Sequence, residues 1–179
     1  MPGEDDWITL TDQDLRAVTA YAADCADAVL AIFEADSPDD PRPRDAIEAA
    51  REFADGGRRG KRLRDTAWAA MRAAKDVGPA AHHAAMAAMA AAGAAYLHPL
   101  AKATQVKHVL GSAAHAALAT ELASGGAPDL GPAHLALAAQ RVQPDVVDVL
   151  LRYPDAPGGG GRVGELIRLL DVVLRARAS

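Results

Sequence analysis

The sequence predicts an all-α fold: a single-domain antiparallel bundle of about seven or eight helices around an alanine-rich core. Three observations predict it. Apolar residues recur at three- and four-residue spacing through most of the chain, and prolines and glycines fall between those stretches. About a quarter of the residues are alanine while only 4% are aromatic. Such a core must form by close approach of helices over small side chains, with leucine, valine and isoleucine as pegs. No stretch reads convincingly as a strand. The 179 residues suit one domain with enough chain to bury a real core. Residues 1–179 are therefore read as one helical domain, with 1–9 a loosely ordered tail and 153–161 a flexible loop.

The first helix is expected from Leu10 to about Ala35, capped by Thr11 with Asp14 or by Asp12. Leu15, Val18, Ala22, Cys25, Val29 and Ile32 alternate spacings of three and four and form one buried seam. Cys25 falls on that seam, where a thiol behaves as a small hydrophobe, and no histidine lies near it in sequence to activate it. Asp24 and Asp27 flank it as solvent-side or salt-bridged carboxylates, and Asp24 is kept as a candidate binding residue.

The stretch Asp39 to Phe53 holds the most side chains with a readable mechanism. Pro43 suits the first turn of a helix and pushes Arg42 away from helical conformation, so the helix starts at or next to Pro43. Asp39, Asp40 and Asp45 surround that N-terminus, where the helix dipole favours negative charge. Ile47, Ala50, Phe53 and Ala54 make the buried stripe, and Asp55-Gly56-Gly57 ends the helix. Arg44 with Glu48, and Glu48 with Arg51, have the spacing to pair along one face. Two readings stand open: ordinary surface pairs, or a buried or partner-facing network of Arg42, Arg44, Glu48 and Arg51.

A third helix is expected over about Lys61 to Val77, with Trp68 as a core or groove peg. Gly78-Pro79 starts a fourth, about Ala80 to Ala95, whose alanines and Gly93 imply a very close neighbouring backbone. His82, Met86 and Met89 recur at helical spacing there, a stripe that suits a core better than copper. A fifth helix is expected from about Pro99 to Ser124. It buries Ala103, Val106, Leu110, Ala113 and Ala117 and presents His98, Lys102, Gln105, His108, Ser112 and His115 on another side. That stripe is either a solvated face or the lining of a pocket. Pro132–Arg141 and Pro144–Arg152 read as short proline-opened helices, and Arg162–Arg177 as the last. The four glycines before Arg162 do not make a phosphate loop, since no Gly-Lys-Ser/Thr follows and no strand precedes.

Composition narrows the function classes. One cysteine excludes an intramolecular disulfide and makes a cysteine-based zinc site implausible. The acidic first residues lack the basic and apolar regions of a signal peptide, and no apolar run is long enough for a membrane span, so a cytoplasmic protein is expected. Residues 1–55 carry 15 acidic and 4 basic side chains, a net charge of −11, whereas the rest carries +6. The two parts either neutralise each other or leave an acidic face for a basic partner. Arg58, Arg59, Lys61, Arg62 and Arg64 form a basic run, but no aromatics are interleaved in it and the chain as a whole is acidic, so nucleic acid is not expected.

The order Asp24-Cys25-Ala26, then Asp39 to Phe53, then an alanine-rich Trp/Met helix, then Gly93 to Ala117 resembles the immunity-protein-5-like family of bacterial toxin systems. The resemblance covers roughly residues 20 to 120, and its most specific part is DPRPRDAIEAAREF. It implies a non-catalytic protein that neutralises a toxin by occlusion, the acidic lobe steering and binding it. The competing reading is a small-molecule-binding protein or enzyme with a His/Arg/Glu-lined pocket between the 43–55 and 99–124 helices. The candidate binding residues are Asp24, Arg42, Arg44, Glu48, Arg51, Trp68, His98, Lys102 and His108. No catalytic residue, metal or cofactor is expected; the partner is a protein toxin or a small ligand, no membrane is involved, and a homodimer stays open.

Overall fold

The computed structural model describes residues 7–178. The described residues form nine α-helices: α1 (Asp12–Asp27), α2 (Leu30–Asp36), α3 (Arg42–Ala54), α4 (Lys61–Ala73), α5 (Pro79–Ala94), α6 (Val106–Ala123), α7 (Leu130–Arg141), α8 (Pro144–Leu151) and α9 (Gly161–Arg177). A single antiparallel bridge, Trp7 to Leu100, is the only β-type pairing among them. The predicted all-α bundle with an alanine-rich core is what forms. Most of the expected tail, residues 1–6, lies outside the described residues.

The middle of the bundle is α5. Ala81, Ala84, Ala85, Ala87, Ala88, Ala91, Ala92 and Ala94 are all buried along one broad side of the helix, and His82, His83, Met86, Met89, Ala90 and Gly93 on the other side are half-buried. A helix without a polar face must be enclosed, and α1, α2, α3, α4 and α6 all pack against it. Alanine permits this because it holds helix propensity at no side-chain entropy and keeps neighbouring axes close. Next to it, α6 is almost as enclosed. Ser112, on the polar stripe read as a solvated face or a pocket lining, is buried and donates to the carbonyls of Ala22 (2.7 Å) and Ala87 (3.0 Å). One hydroxyl thus ties α1, α5 and α6 together.

Several helix ends differ from expectation. The first helix is two, broken at Ala28–Val29, and the break lets Leu30, which lies off the seam, join Val29 and Phe33 in the core. Its start is as read: Thr11 Oγ1 accepts from the Asp14 amide and Asp14 accepts from the Thr11 amide, a reciprocal cap. The third helix stops at Ala73, short of Val77. The fifth begins at Val106 rather than Pro99, preceded by a 3-10 turn at Ala103–Gln105. Residues 98–102 are engaged elsewhere: Pro99 accepts from the Ile8 amide (3.1 Å), and the His98 amide donates to Gln105 Oε1 (2.9 Å). A backbone paired to the N-terminal segment is not available for helical bonds.

The last two helices close the bundle. In α9, Leu166, Leu170 and Leu174 are buried, and the helix packs on α6 and α7. Arg162 reaches the buried Glu121 of α6 through two hydrogen bonds (3.0 and 3.2 Å). Arg152, just past α8, donates to Asp14 (2.7 Å) and to the Thr9 carbonyl (2.9 Å), fastening the far end of the chain to the start of α1. The loop at 153–161 is held by Arg168, which donates to the carbonyls of Pro157 and Gly159, and by the Ala156 amide on Asp171.

Candidate functional site

The entry to α3 is built by one carboxylate. Asp40 accepts from the Arg42 amide (3.1 Å) and from its guanidinium (2.6–3.1 Å), so the same group satisfies the first amide of the helix and fixes the arginine. The Arg42 guanidinium holds the Asp40 carboxyl below the usual carboxylate range, against the opposing effect of burial. Gly56, at φ +113°, ends the helix in a conformation that only glycine adopts cheaply, and the Gly57 amide returns to the Glu52 carbonyl (2.8 Å).

The α3 arginines do not pair along their own helix. Arg44 pairs with Glu34 of α2, and Arg51 reaches Asp27 (3.2 Å) and Asp24 (3.5 Å) of α1. Glu52 pairs with Arg62 of α4. Glu48 is exposed and joins neither Arg44 nor Arg51 among the described residues. The intrahelical pairing expected from spacing is therefore replaced by clamps between helices. Asp24 and Arg51, both candidates from sequence, do come together.

The remaining candidates lie elsewhere. Trp68 is not a core peg: it is 58% exposed on the outer side of α4. The helix turns Leu63, Ala70 and Ala73 inward instead, and small side chains let α4 sit too close to α5 for an indole between them. His98 is exposed in the loop before α6, with its ring 5.8 Å from that of Trp7 and its carbonyl accepting from the Tyr153 hydroxyl (2.8 Å). Lys102 is exposed in the same loop. His108 is half-buried on α6, and burial, followed by the charge of Lys107, lowers its pKa. No single stripe joins the three, because only His108 is on the helix. Arg44, Glu48, His98 and His108 share none of the depressions at α2–α3, α1–α7 or the α9 entry. α5 packs against both α3 and α6 and stands between them.

A histidine cluster went unseen in the sequence. His83 and His115 meet Nδ1 to Nδ1 at 3.0 Å with stacked rings, and His82 sits edge-on to His83 while bonding the Ala74 carbonyl (2.7 Å). Only one of the two facing nitrogens can carry a proton. Burial, then His83 and His82, pushes His115 down to about 3. The helical register of α5 and α6 separately gives no hint of it, since the partners are on different helices. Among the described residues no group of three or more histidine, cysteine or acidic side chains is arranged to hold a metal. Cys25 is buried on its seam, and burial raises the thiol to about 12, far from a nucleophile's range.

One end of the bundle joins charge to concavity. A depression of about 510 Å³ is lined by Ser37 to Arg42, with Asp39 exposed at its edge. Beside it lies a second, also about 510 Å³, with Ile32, Ala35, Pro79, Ala81 and Leu122 as an apolar floor. Asp36 borders the second and accepts from the Gly78 amide (3.1 Å). Asp76 is near enough to Arg42 to help raise its pKa, after Asp40. Asp36 thus lines the apolar depression, Asp39 and Asp40 line the other, and Asp76 lies within electrostatic reach of Arg42, so four carboxylates gather near the ends of α2 and α4, with Asp40 engaged by Arg42.

The sequence profile of the family described as "Imm-5 like putative immunity protein" matches residues 8–142. The chain belongs to this family. The match takes in α1 through α7, including the acidic end, and stops before α8 and α9. No curated protein and no solved structure matches the chain. Within the described residues no helix is long and apolar enough to cross a membrane.

Proposed function

We propose that this member of the immunity family binds a protein toxin and occludes it without turnover, using the acidic end of the bundle. The observation that carries the reading is an apolar depression bordered by Asp36, with Asp39, Asp40 and Asp76 gathered close by. Stable interfaces join an apolar patch to polar groups at its margin. Exposed carboxylates there would steer a basic partner and speed encounter. The family membership supports a toxin as that partner. The single buried thiol fits a reducing, cytoplasmic setting in a bacterium.

The test is co-expression with the candidate toxin encoded beside this chain. Growth rescue with a stoichiometric complex is expected, and Asp36→Asn with Asp39→Asn should weaken both. Rescue without any complex, together with turnover of a small molecule that depends on His98 or His108, would overturn the occlusion reading.

A further inference from the structure

The outer face of α4 has the opposite sign and an exposed indole, and toxin binding at the acidic end uses neither. Lys61, Arg64, Trp68 and Arg72 are spaced by three or four residues and so lie on one side of the helix. Lys75, just past the helix end, continues the line. All five are exposed, Trp68 at 58%. Asp65 pairs with Lys61 at 3.4 Å, both side chains exposed. Arg64, Arg72 and Lys75 make no ion pair among the described residues. The neighbouring arginines differ: Arg62 is tied to Glu52, and Arg59 bonds the Ala95 carbonyl and lies over Tyr96. The fold uses those cations and leaves the stripe unspent.

We propose that this face is a docking surface for an acidic helical segment of a partner protein. Tryptophan and arginine are the residue types that dominate interface energetics, the indole as anchor and the guanidinium as a bidentate donor to carboxylates. Lys61 to Arg72 spans about 17 Å along the axis, a length a partner helix of three turns covers. Carboxylates at the same spacing on that helix meet the cations, with an apolar residue over Trp68 between them. Single-stranded nucleic acid fits less well: one indole offers no platform for successive bases.

The test follows Trp68 fluorescence in a Trp7→Phe variant of the full chain, where Trp68 is the only tryptophan. The probes are a synthetic helical peptide with glutamates at matching positions around a central leucine, its glutamine analogue, and oligo-dT. A saturable blue shift is expected with the glutamate peptide alone. It should weaken by about tenfold or more on Arg64→Glu with Arg72→Glu, and weaken again as salt rises. Both arginines are exposed, and circular dichroism of the double variant checks that it stays folded. No saturable response to the glutamate peptide, or an equal response from the double variant, overturns the proposal. A stronger response to oligo-dT overturns it in favour of nucleic acid. Because the acidic-end variants leave this stripe intact, the two surfaces fail independently.

Discussion

α3 and α5 are neighbouring helices built on opposite principles. α5 has no exposed charged face, buries a broad side of alanines, and contacts most of the other helices. α3 buries only Pro43, Ala46, Ile47, Ala49, Ala50 and Phe53, and spends its charges on clamps to α1, α2 and α4. The first fixes how close the backbones come; the second fixes which charged groups remain on the surface. Stability should therefore concentrate in α5 and α6, and partner recognition around α3 and α4.

The largest expected effect on that contrast comes from acid. His115 sits in the α5–α6 interface, and burial depresses its folded pKa from 6.5 to about 3. The unfolded chain then binds the proton first. Stability should be level above about pH 7 and fall as pH drops below 6.5, by up to about 1.4 kcal/mol per unit from this group alone. The fall should level off near the folded value. His83, His108 and His134 are also lowered by burial and steepen it. Chemical denaturation at several pH values reads the slope, and His115→Gln should flatten it. A stability that rose on acidification would place His115 in a charged, partnered state instead.

Overpacking α5 comes next. Ala92→Leu adds side-chain volume at a position that is fully buried between helices, and should cost about 1–3 kcal/mol or more in denaturant titration. Gly131→Ala should cost a similar amount, since its new Cβ would collide with the Glu121 carboxylate that Arg162 holds in place. A wild-type midpoint for Ala92→Leu would mean that α5 is not the tight centre of the bundle.

The α3 surface should respond least. Arg51→Ala loses two exposed clamps and should cost about 0.5–1 kcal/mol. Glu48→Ala should stay within about 0.5 kcal/mol, because Glu48 is exposed and strands no arginine. A loss near 2 kcal/mol for Glu48→Ala would restore the buried network that its spacing to Arg44 and Arg51 suggested.

Much of this division was readable in the sequence. The Thr11/Asp14 cap, the seam from Leu15 through Cys25 and the glycine end at Gly56 depend on local chemistry and formed as read, and α3 starts next to Pro43, although Arg42, expected outside it, is its first residue. What depends on contacts between helices was not. Spacing offered Arg44 to Glu48, yet Glu34 and Asp27 on other helices offered better partners. Trp68 looked like a core residue by size, but a core closed over alanine has no room for it. The stretch Pro99 to Lys102 reads as helix by period, yet the Pro99 carbonyl accepts from the Ile8 amide instead. The His83–His115 contact joins residues 32 apart on two helices, and no one-dimensional period reports it.

The occlusion reading is tested most directly by the association rate of the toxin, measured by stopped flow across a salt series. With the wild-type chain the rate should fall steeply as salt screens the acidic end. Asp36→Asn with Asp39→Asn should lower the low-salt rate by about tenfold while leaving the thermal midpoint almost unchanged. An association rate indifferent to both salt and these substitutions would contradict binding at the ends of α2, α4 and α6.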